Sequence, residues 1–188
     1  ERNYLLAMNV RGGLSDLIYA REIVGNLANL LNGQTWLAEA ATKENFQKTA
    51  ADYGVLHLAM HGVSNEAAPI LSSLAFSEDY KAVEDNFLQA YEVAQLSLKA
   101  NLVVLSACET GYGKFQQGEG VISLARSFMY AGVPSLVVSL WQVNDQATAA
   151  LMQYYYQFLE EGQPKHNALR QAKLAYLNNQ ESVQQLHP

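Results

Sequence analysis

Three side chains in this sequence have types and spacing that could do chemistry. His57 and His61 stand four residues apart in "LHLAMHG", and Cys108 is the chain's single cysteine. On a helix, the histidine spacing would aim both imidazoles at one metal ion. The helical zinc motif, however, needs a glutamate directly after the first histidine, and Leu58 occupies that place. One cysteine adds little further ligation. No metal site is therefore expected, and no cofactor. A thiolate beside an imidazole is a different matter. The sulfur attacks an acyl carbon, and the ring takes its proton or stabilises its charge.

Phosphate chemistry is the other candidate. "GYGKFQQGEG" (Gly111–Gly120) joins a strand to a helix, where a phosphate loop would sit. Phe115 stands where the Walker pattern needs a hydroxyl, and Gln116 stands where the dinucleotide pattern needs its last glycine. Nucleotide binding is not expected.

The elements that must position these groups follow from periodicity. Tyr4–Val10 reads as a strand broken by Gly12–Gly13, and Leu14–Leu31 as an amphipathic helix. Thr35–Ala38 reads as a short strand, followed by a helix from a Thr42 N-cap to about Ala51. Val55–Met60 and Leu102–Ala107 are near-continuous apolar runs, as strands covered on both faces should be. Leu71–Phe76 reads as a strand or hairpin arm, and Asn86–Leu96 as helical. Val121–Ala131 reads as a helix closed by Gly132, and Ser135–Leu140 as a third buried strand. Helices over about Asp145–Glu161 and Lys165–Leu177 follow, then a glutamine-rich tail expected to fray. This order predicts an α/β fold, a mostly parallel sheet with helices on both faces.

In such sheets functional residues gather beyond the carboxyl ends of strands. His61 follows one buried run and Cys108 follows the next. Gly62 leaves room for a substrate backbone. Its N–H and that of Cys108 could serve as the two donors of an oxyanion hole. Cys108 lies 47 residues beyond His61, close to the spacing of about 50 seen in caspases. The bland alternatives are a small buried thiol and a histidine satisfied by the backbone. The two residues together, at matching strand ends with glycines beside them, favour the catalytic reading.

Composition bounds the rest. Of 188 residues, 49% are apolar and 16% charged. That balance suits one well-packed domain over residues 1–188. A net charge of −6 without a basic cluster argues against nucleic acid and anionic membrane as partners. No apolar run approaches the roughly 20 residues of a membrane span. A single cysteine gives no sign of a disulfide scaffold, so the cytoplasm is the simplest compartment. The opening "ERNYLLAMNV" is neither an initiator methionine nor a signal peptide, and the chain reads as a piece of a longer protein.

"VLHLAMHGVSN" followed by "NLVVLSACETGYGKFQQGEGVISLARSFMYAGVPSLVVSLWQVND" closely resembles the CHAT domain, over about Leu56–Leu177. CHAT domains belong to the caspase-like cysteine peptidases, related in fold to caspases, separase and gingipains. The resemblance implies a three-layer α/β/α caspase-like fold and a regulated cysteine endopeptidase of bacterial defence or signalling, acting on a protein substrate. The family's His-Gly motif falls on His61 and its Ser-Ala-Cys-Glu-Thr-Gly motif on Cys108; His57 is expected to be interior and structural. An N-terminal tetratricopeptide-type region or partner is implied as the regulator. In caspase-like enzymes the strand after the nucleophile's helix lines the specificity pocket, which here points to Ser139, Trp141 and Asp145.

Asp145 would then select Lys or Arg before the cut. Against this, Asp145 or Asn144 could simply cap the next helix, and Trp141 could simply anchor the loop. Glu119 near a helix start suits the helix dipole. Glu109 directly follows the nucleophile and could orient neighbouring loops, and neither glutamate is an evident third catalytic member. Gly111–Gly120 is long enough to gate the site. The competing functions are a catalytically silent scaffold and an acyl-group hydrolase or acyltransferase using the same cysteine.

Overall fold

A computed structural model of the chain describes residues 4–8, 18–65, 67–77, 86–106, 119–139 and 143–179. The elements in chain order are β1 (Tyr4–Met8), α1 (Ile18–Leu31), β2 (Gln34–Leu37), α2 (Lys43–Thr49), β3 (Val55–Ala59), β4 (Gly62–Val63), β5 (Ser73–Ala75), β6 (Phe87–Gln89), α3 (Ala90–Ala94), β7 (Leu102–Leu105), α4 (Glu119–Tyr130), β8 (Leu136–Val138), α5 (Asp145–Glu160) and α6 (Lys165–Asn178).

Helix and strand are mixed, around a parallel five-stranded sheet of order β2-β1-β3-β7-β8. β3 and β7 are buried along their whole length, which explains why both read as unbroken apolar runs rather than alternating ones. Their side chains divide by parity. Leu56, Leu58, Val103 and Leu105 join one core with Phe46, Val93, Leu124 and Phe128 of α2, α3 and α4. Val55, Ala59, Leu102 and Val104 join another with Val24 and Leu27 of α1, Tyr155, Tyr156 and Leu159 of α5, and Ala168 and Ala172 of α6. This division follows from the two-residue period of a strand.

Local signals set the helix ends. Thr42 Oγ1 accepts from the Asn45 amide at 3.1 Å and starts α2, as its position predicts. Gly132, at φ +106°, closes α4. Its amide donates to Met129 O and the Val133 amide to Phe128 O, the two bonds of a left-handed helix stop. Gly162, at φ +86°, closes α5 in the same way.

One expectation is corrected. Asn86–Leu96 is not a single helix: Phe87–Gln89 form β6, and only Ala90–Ala94 are helical. Leu88 pairs with Leu74 in an antiparallel sheet of order β4-β5-β6. That pairing outweighs the local helical period. The helix then begins with a capping box, the Gln89 amide donating to Glu92 Oε2 at 2.9 Å. The Gly12–Gly13 break, the start of the first predicted helix at Leu14–Leu17, and the tail from residue 180 onward lie outside the described residues. No described helix is long and apolar enough to cross a membrane.

Candidate active site

β3 and β7 lie side by side, and their carboxyl ends carry the candidate chemistry. Their register runs from Val55 opposite Leu102 to Leu58 opposite Leu105, a constant offset of 47 residues. The Ser106 amide donates to Leu58 O at 3.2 Å and extends the pairing by one residue. Cys108 itself lies outside the described residues, as do Glu109 and Gly111–Gly118 of the proposed gate. Glu119 and Gly120 form the first turn of α4.

His61 is fully buried where the chain passes from the parallel sheet into the antiparallel one. Its carbonyl accepts from the Ala75 amide at 2.9 Å, which anchors the residue to β5. Gly62, also buried, stands opposite Leu74 in β4. The backbone around the candidate base is therefore held by β5 of the antiparallel sheet.

His57 behaves differently. Its ring is fully buried, and Nε2 lies 2.6 Å from Ser106 Oγ. The imidazole stacks on Tyr156 of α5, with centroids 5.5 Å apart and planes 20° from parallel. Burial disfavours the charged ring and lowers its pKa from 6.5 to about 3. A neutral imidazole committed to a serine hydroxyl is an interior hydrogen-bonding group. Sequence reasoning placed His57 inside but did not find its partner. In the sequence Ser106 was marked by its place at the end of the run before Cys108 and as the first residue of the Ser-Ala-Cys-Glu-Thr-Gly motif, and neither signal named His57 as its partner.

The specificity candidates are spread over two elements. Ser139 follows β8 and is half-buried, and Trp141 lies outside the described residues. Asn144 Oδ1 accepts from the Ala147 amide at 2.9 Å and caps α5. Asp145 Oδ2 accepts from the Tyr19 amide at 2.9 Å, so this carboxylate meets the amino end of α1. There the helix dipole favours negative charge.

A cavity of about 880 Å³ lies at the opposite end of the sheet, lined by Val55, Leu102 and Leu136 at the amino ends of β3, β7 and β8. Lys165 Nζ lies on its wall and donates to Asn101 O and Ser135 Oγ. Neither His61 nor Gly62 lines it.

Among curated proteins, the chain is similar to Tetratricopeptide repeat protein 28 of Homo sapiens, 27% identical over 184 residues, covering 81% of this chain and 7% of that protein. It is similar to Tetratricopeptide repeat protein 28 of Mus musculus at 25% identity over 174 residues, covering 76% of this chain and 7% of that protein. The chain thus matches a small part of the length of these relatives. Residues 12–188 match the CHAT domain profile, which spans most of the sequence, both strand ends and the helices behind them: the chain belongs to the CHAT domain family.

Proposed function

We propose that this chain is a cysteine endopeptidase domain with a caspase-like, three-layer α/β/α fold, in which His61 and Cys108 form the catalytic dyad. One observation carries the reading. The β3–β7 register is offset by 47 residues, and Cys108 lies 47 residues beyond His61. Equal advance along two adjacent parallel strands brings residues to the same level. The separation in sequence equals the strand offset, which supports a side-by-side pair beyond the strand ends. Membership of a caspase-like peptidase family supports the same chemistry.

In this mechanism His61 takes the Cys108 thiol proton, and the sulfur adds to the scissile carbonyl. The N–H groups of Gly62 and Cys108 stabilise the oxyanion. His61 returns the proton to the departing amine, leaving a thioester. Water, deprotonated by His61, then releases the acid and restores the thiol. Ser139, Trp141 and Asp145 line the pocket for the residue before the cut, with Lys or Arg paired to Asp145. The protein works in the cytoplasm on a protein substrate, without a cofactor.

His61 is fully buried, whereas a general base must be reached by substrate. This observation supports a latent enzyme opened by an attached or partner region of the tetratricopeptide type, the repeat named in the relatives. It equally favours the second reading, a silent scaffold that keeps the fold and recruits partners. Labelling separates the two. A peptidyl ketone ending in Arg should add its mass to Cys108 in the presence of the activating region, and His61→Ala should abolish the adduct. An adduct that forms equally in His61→Ala, or none under any condition, would refute the dyad.

A further inference from the structure

His57 and Ser106 form a buried polar tie between the two strands that carry the proposed dyad. His57 stands opposite Val104 on β3 and β7, and side chains two apart on a strand share a face. The imidazole therefore reaches forward past its own rung to Ser106 Oγ, 2.6 Å away. Ser106 is the last described residue of its segment. It is fastened to β3 by this bond and by its amide to Leu58 O at 3.2 Å.

The location is unusual on energetic grounds. Every other residue of β3 is apolar, and a valine or leucine at position 57 would fill the site without loss of hydration. Burying an imidazole there costs stability unless its hydrogen bonds are made. Among the described residues Nδ1 has no partner, so Ser106 supplies the ring's one described hydrogen bond. The Tyr156 ring then fixes the imidazole plane from α5. Such groups rigidify and specify a single arrangement where an apolar pair would tolerate slippage. The tie lies four residues before His61 and two before Cys108.

We propose that His57 and Ser106 are positioning residues, holding the ends of β3 and β7 at the spacing and angle in which His61 and Cys108 act. This rests on the peptidase reading. The tie touches no substrate and acts only through the strands. Loss of the Ser106 hydroxyl leaves the fold in place but lets the β7 end shift, and misplacement of about 1 Å can cost about 100-fold in rate.

The test uses the single cysteine as its own reporter. The rate of alkylation by iodoacetamide against pH gives the thiol's titration in wild type, His61→Ala, Ser106→Ala, Ser106→Thr and His57→Phe. Urea unfolding of each variant accompanies it. Ser106→Ala and His57→Phe should move the profile toward that of His61→Ala, while Ser106→Thr, which keeps a hydroxyl, returns it to wild type. If Ser106→Ala does not fold, His57→Phe carries the same comparison. A His61-dependent profile that Ser106→Ala or His57→Phe leaves unchanged overturns the positioning role and leaves the dyad standing. A profile that His61→Ala does not move when the activating region is present overturns the dyad, and the positioning role with it.

Discussion

Acid should destabilise this protein through His57 in a way that can be isolated. Burial lowers the folded-state pKa of the ring from 6.5 to about 3, so the folded chain refuses a proton that the unfolded chain accepts. The stability due to the neutral ring is fully present above pH 6.5 and is lost as pH falls from there toward 3. At pH 5.0 the unfolded state gains about 1.5 pH units of protonation free energy, which at about 1.36 kcal/mol per unit is about 2 kcal/mol. This figure depends only weakly on the folded value, provided that value stays below about 4. By pH 3 the loss reaches about 4 kcal/mol, close to the lower end of a whole domain's stability. The assay is urea unfolding at pH 7.5 and 5.0, for wild type and for His57→Gln, which cannot titrate. Wild type should lose about 2 kcal/mol more than the variant across that interval. Equal losses would show that position 57 takes up no proton on unfolding and would refute the buried neutral imidazole.

Other outcomes follow from single contacts. Gly132→Ala should lower stability by about 1 to about 2 kcal/mol in chemical denaturation, the usual cost of a left-handed backbone carrying a side chain. The glycine sits at φ +106°, and a Cβ there would meet Leu98 O at 3.0 Å. Thr42→Ala should cost about 1 kcal/mol in the same assay by releasing the Asn45 amide at the start of α2. Asp145→Ala should cost about 0.5 to about 1 kcal/mol through its lost bond to the Tyr19 amide, and should also abolish any preference for Lys or Arg before the cut. A basic preference that survives the substitution would remove Asp145 from the pocket.

What could be seen in the sequence was whatever depends on neighbours along the chain. Val55–Ala59 and Leu102–Leu105 stood out because both faces are covered. Thr42 and Gly132 marked helix ends because capping and left-handed closure are local. β6 was hidden because Phe87–Gln89 carry helical spacing, and only their pairing with Ser73–Ala75 makes them a strand. The His57–Ser106 contact was hidden for a related reason. The two are 49 residues apart while the strands are offset by 47, so the bond is diagonal and appears only once the register is known. Asp145 was read as a pocket residue or as a cap for the helix it begins. Its observed partner is the amide of Tyr19, 126 residues away, which no local pattern encodes.

The central claim is that Cys108 cleaves peptide bonds with His61 as its base. Digestion of a peptide library by the protein joined to its activating region, compared with Cys108→Ala and His61→Ala in the same setting, tests it most directly. Defined cuts after Lys or Arg are predicted in the intact protein, reduced at least about 1000-fold in either variant. Cuts that persist in Cys108→Ala, or a library left whole by all three proteins, would contradict it.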